Sequence, residues 1–258
     1  MKKKLLPDWP CNSYLSAWKT FRLISNENEV TASHLLTRNN WPKKENIAVC
    51  DLGCGDGHLV EKIILKSLTK IAKVHLLDPD SELMREAHER ISEINLVSDV
   101  SCSISKAENG LLQCVTGADV ILLIHVVYLI ENGVLLKILS SIPLNTPLYI
   151  ILDSPDSIFT ALWKITAPKY YEKALKAHEI LKKLPKERFA IKRSTIKSQI
   201  INPLSSPRAD IKQAILSILT YSDFHDHMYP SVMPILKKHT VENNLVCKSV
   251  CYEVMRKN

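Results

Sequence analysis

Residues 49–57 read V-C-D-L-G-C-G-D-G, an apolar run that ends in an acid and passes into glycines at every second position. The 258-residue chain holds only 6 Gly, and Gly53, Gly55 and Gly57 put half of them into five consecutive positions. Glycine costs conformational entropy on folding, so such a cluster marks a backbone that must adopt positive φ or let a ligand come close. The glycines lie between an expected strand and an expected helix. That junction, the carboxyl end of a strand facing the N-terminus of the next helix, is where open α/β sheets hold nucleotides.

Spacing separates the loops that could occupy such a junction. A dinucleotide loop, G-x-G-x-x-G, would need glycine where His58 stands, and a phosphate loop, G-x-x-x-x-G-K-[ST], has no counterpart. The pattern present is acid-x-G-x-G-x-G, made by Asp51, Gly53, Gly55 and Gly57. The next apolar run ends in H-L-L-D-P-D, which puts Asp78 where a carboxylate can accept both hydroxyls of a ribose. The plainer alternative makes Asp51 and Asp78 strand-end turn residues, and the paired spacing favours the ligand. Asp56 and Asp80 read as loop and cap residues.

Outward from this stretch the chain alternates. Residues 12–40 are expected to be helical, with Asn12 or Ser13 as N-cap and Tyr14, Leu15, Trp18 and Phe21 at helical spacing, until Trp41 and Pro42 break the pattern. Strands are expected at 47–52, 74–77, 97–104, within 118–130 and at 148–152, with helices at 58–68, from Pro79 and Asp80 through Leu83, Met84, Ala87 and Ile91, and at 133–141. The near-continuous apolar character of 118–130 suits a parallel strand buried on both faces. This alternation predicts an α/β, doubly wound, mostly parallel sheet. After Pro155 the rhythm changes to helices near 157–165, 169–184, 209–221 and 231–240, a strand or strand pair at 189–201, and a last edge strand at 245–255. The whole is read as one domain of seven strands: a helical cap at 1–40, a ligand-binding core at 41–155, and substrate-side additions at 156–258.

Hydrophobic content of 46% and charged content of 24% are those of a globular chain, and no apolar run reaches the roughly 18 residues of a membrane span. Residues 1–6, M-K-K-K-L-L, meet Pro7 and Asp8 before a signal-peptide core develops, so a cytoplasmic protein is expected. The 7 Cys are odd in number and lack C-x-x-C spacing, which favours reduced thiols. The net charge of +7 gathers most densely in 182–197, and without interleaved aromatics that run reads as a solvated face rather than a nucleic-acid surface.

The acid-glycine pattern with Asp78 resembles the first motifs of class I S-adenosylmethionine-dependent methyltransferases, which are Rossmann-like. The resemblance implies S-adenosylmethionine as cofactor, held by Asp51, Gly53, Cys54, Gly55, Gly57, Asp78, Pro79, Leu83, Ser105 and Ile124. The chain is also similar to the branch of histamine N-methyltransferase and its small-molecule relatives, in Y-L-S-A-W-K-T-F at 14–21 with Glu27, I-H-V-V-Y-L-I at 124–130, and S-I-F-T-A-L-W-K at 157–164. That likeness implies an amine acceptor held by Glu27 within a wall of Tyr14, Trp18, Tyr128 and Trp163. His125 stands where those relatives place a polar substrate contact, commonly Gln, and the last strand has no counterpart of their Asn contact. His125 and Glu27 are the expected catalytic groups, as positioners or proton acceptors. No metal is expected, because metal-dependent O-methyltransferases carry a carboxylate where His125 and Val126 stand. Adenine methyltransferases of nucleic acids carry an Asn/Asp-Pro-Pro-aromatic motif there, which I-H-V-V-Y lacks. An oxygen or carbon acceptor, or a cofactor-binding scaffold without turnover, shares the same core features. Tyr14, Trp18 and Phe21 as plain helix packing, and Glu27 as a solvated helix acid, are alternatives of similar weight.

Overall fold

The structure, a computed structural model, describes residues 11–205, 209–221 and 224–257; the side chains of residues 11–16 lie outside the described set. Two helices, α1 (Cys11–Ile24) and α2 (Glu27–Leu36), precede the sheet. Then follow β1 (Ile47–Leu52), α3 (His58–Lys66), β2 (Ile71–Asp78), α4 (Ser81–Ser92), β3 (Asp99–Ile104), α5 (Ala107–Val115), β4 (Val120–Ile124), α6 (Asn132–Ser141) and β5 (Leu148–Asp153). The remainder is α7 (Ile158–Thr166), α8 (Pro168–Lys182), β6 (Phe189–Ile201), α9 (Ala209–Thr220), α10 (Tyr229–Lys238), β7 (Thr240–Val241) and β8 (Asn244–Arg256). The sheet runs β3-β2-β1-β4-β5-β8-β6, parallel through β5 and antiparallel from there. These seven strands form the expected doubly wound sheet, and the two-residue β7 adds an eighth that pairs with β8 alone.

Position in the sheet explains strand composition. In the centre, β4 and β5 are buried on both faces, as their runs V-I-L-L-I and L-Y-I-I-L-D require. At one edge β3, D-V-S-C-S-I, is largely exposed, which accounts for its polar sequence.

Two expectations need correction. The last strand is not at an edge: β8 inserts between β5 and β6, and Val250, Cys251, Tyr252 and Val254 are buried. Glu253 gives it the look of a half-solvated strand, yet that carboxylate is buried and met by Arg38 at 3.6 Å, Lys192 at 3.7 Å and the Asn40 amide. The true edge is β6, one continuous strand of 13 residues whose Lys192, Arg193 and Lys197 are exposed, a charge pattern that discourages pairing with another chain. The helical segment expected at 12–40 is two helices, and it begins at Cys11, which puts Asn12 and Ser13 inside the first turn of α1. At the break Ser25 bridges to Ile200, Asn26 N donates to Gln199 O at 3.1 Å, and Asn26 Oδ1 accepts from Gln199 N at 2.7 Å. Ser25 Oγ also accepts from Glu27 N at 3.1 Å, which opens α2 at Glu27. Helix α5 fills part of the stretch between the expected third and fourth strands, where no element is expected. Gly110 sits within that helix because a Cβ would approach Leu77 Cδ1 to 2.5 Å.

Apolar clusters cover both faces of the sheet, and a third joins Phe21, Tyr128, Phe159, Trp163, Ile200, Leu245 and Cys247. The antiparallel register Asp153↔Ser249 puts the start of β8 beside the carboxyl end of β5. The third cluster therefore seats α1, α7, α9 and α10 at the carboxyl edge, beside the glycine turn.

Replacing Ile151, fully buried between β4 and β8, by alanine is expected to cost about 2–5 kcal/mol in urea unfolding. Val241→Ala on the exposed β7 is expected to stay within about 0.5 kcal/mol of the parent.

Candidate functional site

The glycine turn is clamped to its neighbouring strand, since Leu77 O accepts from both Gly53 N at 2.6 Å and Cys54 N at 3.2 Å. All three glycines have left-handed φ: +80° at Gly53, +56° at Gly55 and +76° at Gly57. Two are also required by close approach. A Cβ on Gly53 would lie 2.5 Å from Val126 Cγ2, and one on Gly57 would lie 3.1 Å from the Ala87 backbone. Gly55 differs, for the only described atom near its Cβ position is Arg22 Nη2, 3.8 Å away. The turn is thus packed at both ends, while its middle glycine has only Arg22 near its Cβ position among the described residues.

Beneath it lie two carboxylates. Asp78 Oδ2 accepts from Gly55 N at 3.0 Å and Oδ1 from Asp80 N at 2.9 Å, so backbone donors fix the carboxylate plane at the end of β2. Burial raises the Asp78 carboxyl above the usual range against the pull of those two amides. Asp51 is more deeply enclosed, and burial together with the Asp78 charge pushes its carboxyl up to about 7. Asp80 caps α4 by accepting from Glu82 N and Leu83 N, which sets Pro79 and Leu83 directly after Asp78. Ser105 follows β3 and Ile124 ends β4. The ten residues expected to hold the cofactor therefore gather at the carboxyl ends of four adjacent strands, in the order β3-β2-β1-β4.

A second cluster bridges the cap and the core. His125 Nε2 lies 3.4 Å from Glu27 Oε1 at the start of α2, and His125 Nδ1 lies 3.5 Å from Asp153 Oδ2 at the end of β5. His125 has φ +55°, a conformation that histidine tolerates better than most side chains and that costs about 1–3 kcal/mol. Its N–H is anchored on Ile151 O at 2.8 Å. Burial alone would lower the imidazole pKa, but Glu27 and Asp153 outweigh it and raise it to about 9. The ring is therefore an imidazolium at neutral pH. Glu27 is raised by burial against the opposing pull of His125. Asp153, which the sequence marks only as a strand end, is held by Ser157 Oγ at 3.3 Å, and its carbonyl accepts from buried His178 Nε2 at 2.9 Å.

The aromatic residues do not form a single wall. Trp18 stacks on Phe21 with centroids 5.2 Å apart and lines a small pocket with Arg22, Ser25, Glu27 and Asn28. Trp163 is buried on α7 against Tyr128, Phe159 and Tyr221, at centroid distances of 4.9, 5.9 and 5.8 Å. Phe21 and Phe159, 6.1 Å apart, connect the two groups. Tyr14 lies on α1, its side chain outside the described residues. Arg22 was not singled out by the sequence: its guanidinium pairs with buried Asp56 in the glycine turn and lies 5.4 Å from the Trp18 ring centroid. Only the i, i+4 spacing of Trp18 and Arg22 on a helix signals that pairing.

No protein-family model and no curated protein matches the chain. Among solved structures it is similar to YcgJ of Bacillus subtilis, with a TM-score of 0.59, 11% identity, and coverage of 88% of this chain and 99% of that one. A proposed rRNA methylase from Clostridium thermocellum gives a TM-score of 0.50 at 11% identity, covering 88% and 94%. The plantazolicin methyltransferase BamL, solved with a triazolic desmethylPZN analog and SAH, gives 0.50 at 13% identity, covering 88% and 84%. At such identities the likeness is one of fold: the mostly parallel sheet with flanking helices is the Rossmann-like architecture these proteins share.

Proposed function

We propose that the protein is an S-adenosylmethionine-dependent methyltransferase acting on a small molecule, with a nitrogen of an amine or heterocycle as the acceptor atom. The observation that carries the cofactor is the Asp78 carboxylate, fixed by the Gly55 and Asp80 amides beside a turn whose middle glycine is left uncrowded. Each carboxylate oxygen spends one acceptor site on a backbone amide and keeps another for a ribose hydroxyl. The fold is also that of a methyltransferase solved with SAH, which supports the same reading.

The cofactor, when bound, supplies an electrophilic methyl on a sulfonium. This chain's residues supply alignment and a dry site. Asp51, Gly53, Cys54, Gly55, Gly57, Asp78, Pro79, Leu83, Ser105 and Ile124 hold and orient it. Glu27 and the face of Trp18 receive the acceptor, since an amine nitrogen or its ammonium form is attracted to a carboxylate and a ring. The raised Glu27 carboxyl is the group that takes the acceptor's proton. His125, held as an imidazolium by Glu27 and Asp153, sits with Nε2 3.4 Å from Glu27 Oε1 as its ionic partner; with a pKa of about 9 it is a positioning group rather than a base at neutral pH. Tyr128 and Trp163 back this arrangement from the apolar side. A soluble cytoplasmic enzyme is consistent with this reading, and among the described residues no helix is long and apolar enough to cross a membrane.

Calorimetry with S-adenosylmethionine tests the first half, and absence of binding would refute it. Asp78→Ala is expected to weaken that binding by about tenfold or more, because it removes one acceptor and strands two amides; unchanged affinity would count against the ribose assignment. Turnover with a panel of amines, phenols, indoles, azole peptides and RNA, read as S-adenosylhomocysteine formation, tests the acceptor. Glu27→Gln is expected to lower amine turnover by about a hundredfold with cofactor affinity unchanged, and full activity would exclude Glu27 as the anchor.

His125 also links stability to pH. Its folded pKa, about 9, lies above the ordinary value near 6.5, so its contribution is complete below about pH 6.5 and is lost as pH rises through about 9. The stability advantage of the parent over His125→Gln in urea titrations is expected to shrink across that window and to be flat below it.

A further inference from the structure

On the face of the sheet that α5 covers, two thiols meet among residues that take no part in the proposed cofactor and acceptor sites. The parallel registers Cys50↔His75 and His75↔Ser101 place these three residues in one row across β1, β2 and β3, and side chains of one row point to one face. Ser103, two residues after Ser101, shares that face. His75 Nδ1 lies 2.7 Å from Ser101 Oγ and Nε2 lies 3.2 Å from Ser103 Oγ, so the row is knit from the buried Cys50 out to the exposed Ser101 on the edge strand. Helix α5 lies against β1 and β2, and closely so, because Gly110 has no Cβ to strike Leu77 Cδ1. Cys114 stands one turn after Gly110 on the same side of the helix, which brings its sulfur down onto the row and into the same buried cluster as Cys50. There the Cys50 thiol donates a hydrogen bond to the Cys114 sulfur, and His75 and Ser103 bond to that sulfur as well. The Cys50 bond above all, with His75 and Ser103, holds the Cys114 thiol down to about 5 against the opposing effect of burial, while the same bond raises Cys50. Burial instead raises the thiols of Cys54, Cys102, Cys247 and Cys251.

We propose that Cys114 and Cys50 form a dithiol that a hydroperoxide oxidises to a disulfide, with Cys114 as the attacking sulfur and Cys50 as the resolving one. Both sulfurs are buried, so the oxidant is hydrogen peroxide itself, reaching them past half-buried His75 and Ser103, rather than a bulky disulfide. The Cys114 thiolate attacks one peroxide oxygen and the O–O bond breaks; Cys114 becomes a sulfenic acid, and the departing hydroxide takes up the proton that the thiol has lost. The Cys50 sulfur then attacks the sulfenic sulfur, the S–O bond breaks, and the hydroxyl leaves as water with the Cys50 proton. Two thiols are oxidised, one peroxide is reduced, and the products are one disulfide and two waters. The bridge ties α5 to the residue just before Asp51, on the strand that leads into the glycine turn.

The test incubates the native protein with hydrogen peroxide, quenches it in acid, blocks the remaining thiols under denaturing conditions and maps the peptides by mass spectrometry. The expected product is a peptide pair joined through Cys50 and Cys114, lighter by two hydrogens than the two reduced peptides and separated by dithiothreitol. Exposed Cys102 serves as the internal control for the peroxide dose. Cys50 and Cys114 both still reduced at a dose that oxidises Cys102 would overturn the proposal, and so would a bridge from either of them to another cysteine. The parent protein alone decides this pairing, whatever the stability of the variants. Dimedone, which traps sulfenic acids, assigns the roles: it is expected to label Cys114 in Cys50→Ala, where the resolving thiol is gone, and to leave Cys50 unlabelled in Cys114→Ala. Labelling of Cys50 in Cys114→Ala with none of Cys114 in Cys50→Ala would overturn the assignment of the attacking sulfur.

Discussion

Charge burial at the carboxyl edge of the sheet is the constraint on which the rest of this structure depends. Asp51, Asp56, Asp78 and Asp153 are all nearly sealed from water at the ends of β1, β2 and β5 or in the turn after β1. A buried carboxylate is tolerated only with hydrogen-bond donors, a cation, or a proton. Each of these solutions is used. Asp78 takes two backbone amides, Asp51 is pushed toward its protonated form, and Asp56 and Asp153 take cations. The cation that meets Asp56, Arg22, comes from α1, so docking of the cap and neutralisation of the turn are one event.

This dependence separates what was legible in the sequence from what was not. The glycine turn announced itself because its residues are dictated by backbone geometry: positive φ and a 2.5 Å approach to Val126 leave no other choice at Gly53. The parallel strands were legible for a similar reason, since V-I-L-L-I and L-Y-I-I-L are buried on both faces and have no solvated side to disguise them. The acid at Asp78 followed from its place one strand after the glycines. Where long-range partners decide the outcome, local pattern fails. Glu253 made β8 look like an edge because nothing near it in sequence shows that Arg38 and Asn40 will satisfy its charge. The split between α1 and α2 was hidden because it is fixed by Gln199 and Ile200, some 170 residues away.

The acceptor side follows the same division. Glu27 and His125 carry chemistry in their residue types, and the structure brings them within 3.4 Å of each other from opposite ends of the first 125 positions. Asp153 and Arg22 gave no such signal, one being an acid at the end of a strand and the other a basic residue on an amphipathic helix. Their significance is relational: Asp153 joins Glu27 in holding the histidine as a cation, and Arg22 lies beside Gly55 while paired with Asp56 and close to the Trp18 ring. The Trp163 ring, by contrast, has so many aromatic neighbours that its contribution is to pack α7 under the site.

Charge balance links this geometry to the proposed chemistry. The His125 imidazolium stands between two acidic side chains, Glu27 at 3.4 Å and Asp153 at 3.5 Å, inside a largely buried site. In the proposed reaction an ammonium entering beside Glu27 meets an acidic partner, which favours amines over neutral acceptors of similar shape. A nitrogen must give up that proton before it can attack a methyl group, and the carboxylate already beside it has a pKa raised by burial, which brings it nearer to that of an amine. Moving the proton to Glu27 leaves His125 beside Asp153, 3.5 Å away. In the proposed reaction His125 thus has a physical use: it keeps a cation beside Glu27 and Asp153 while Glu27 alternates between charged and neutral.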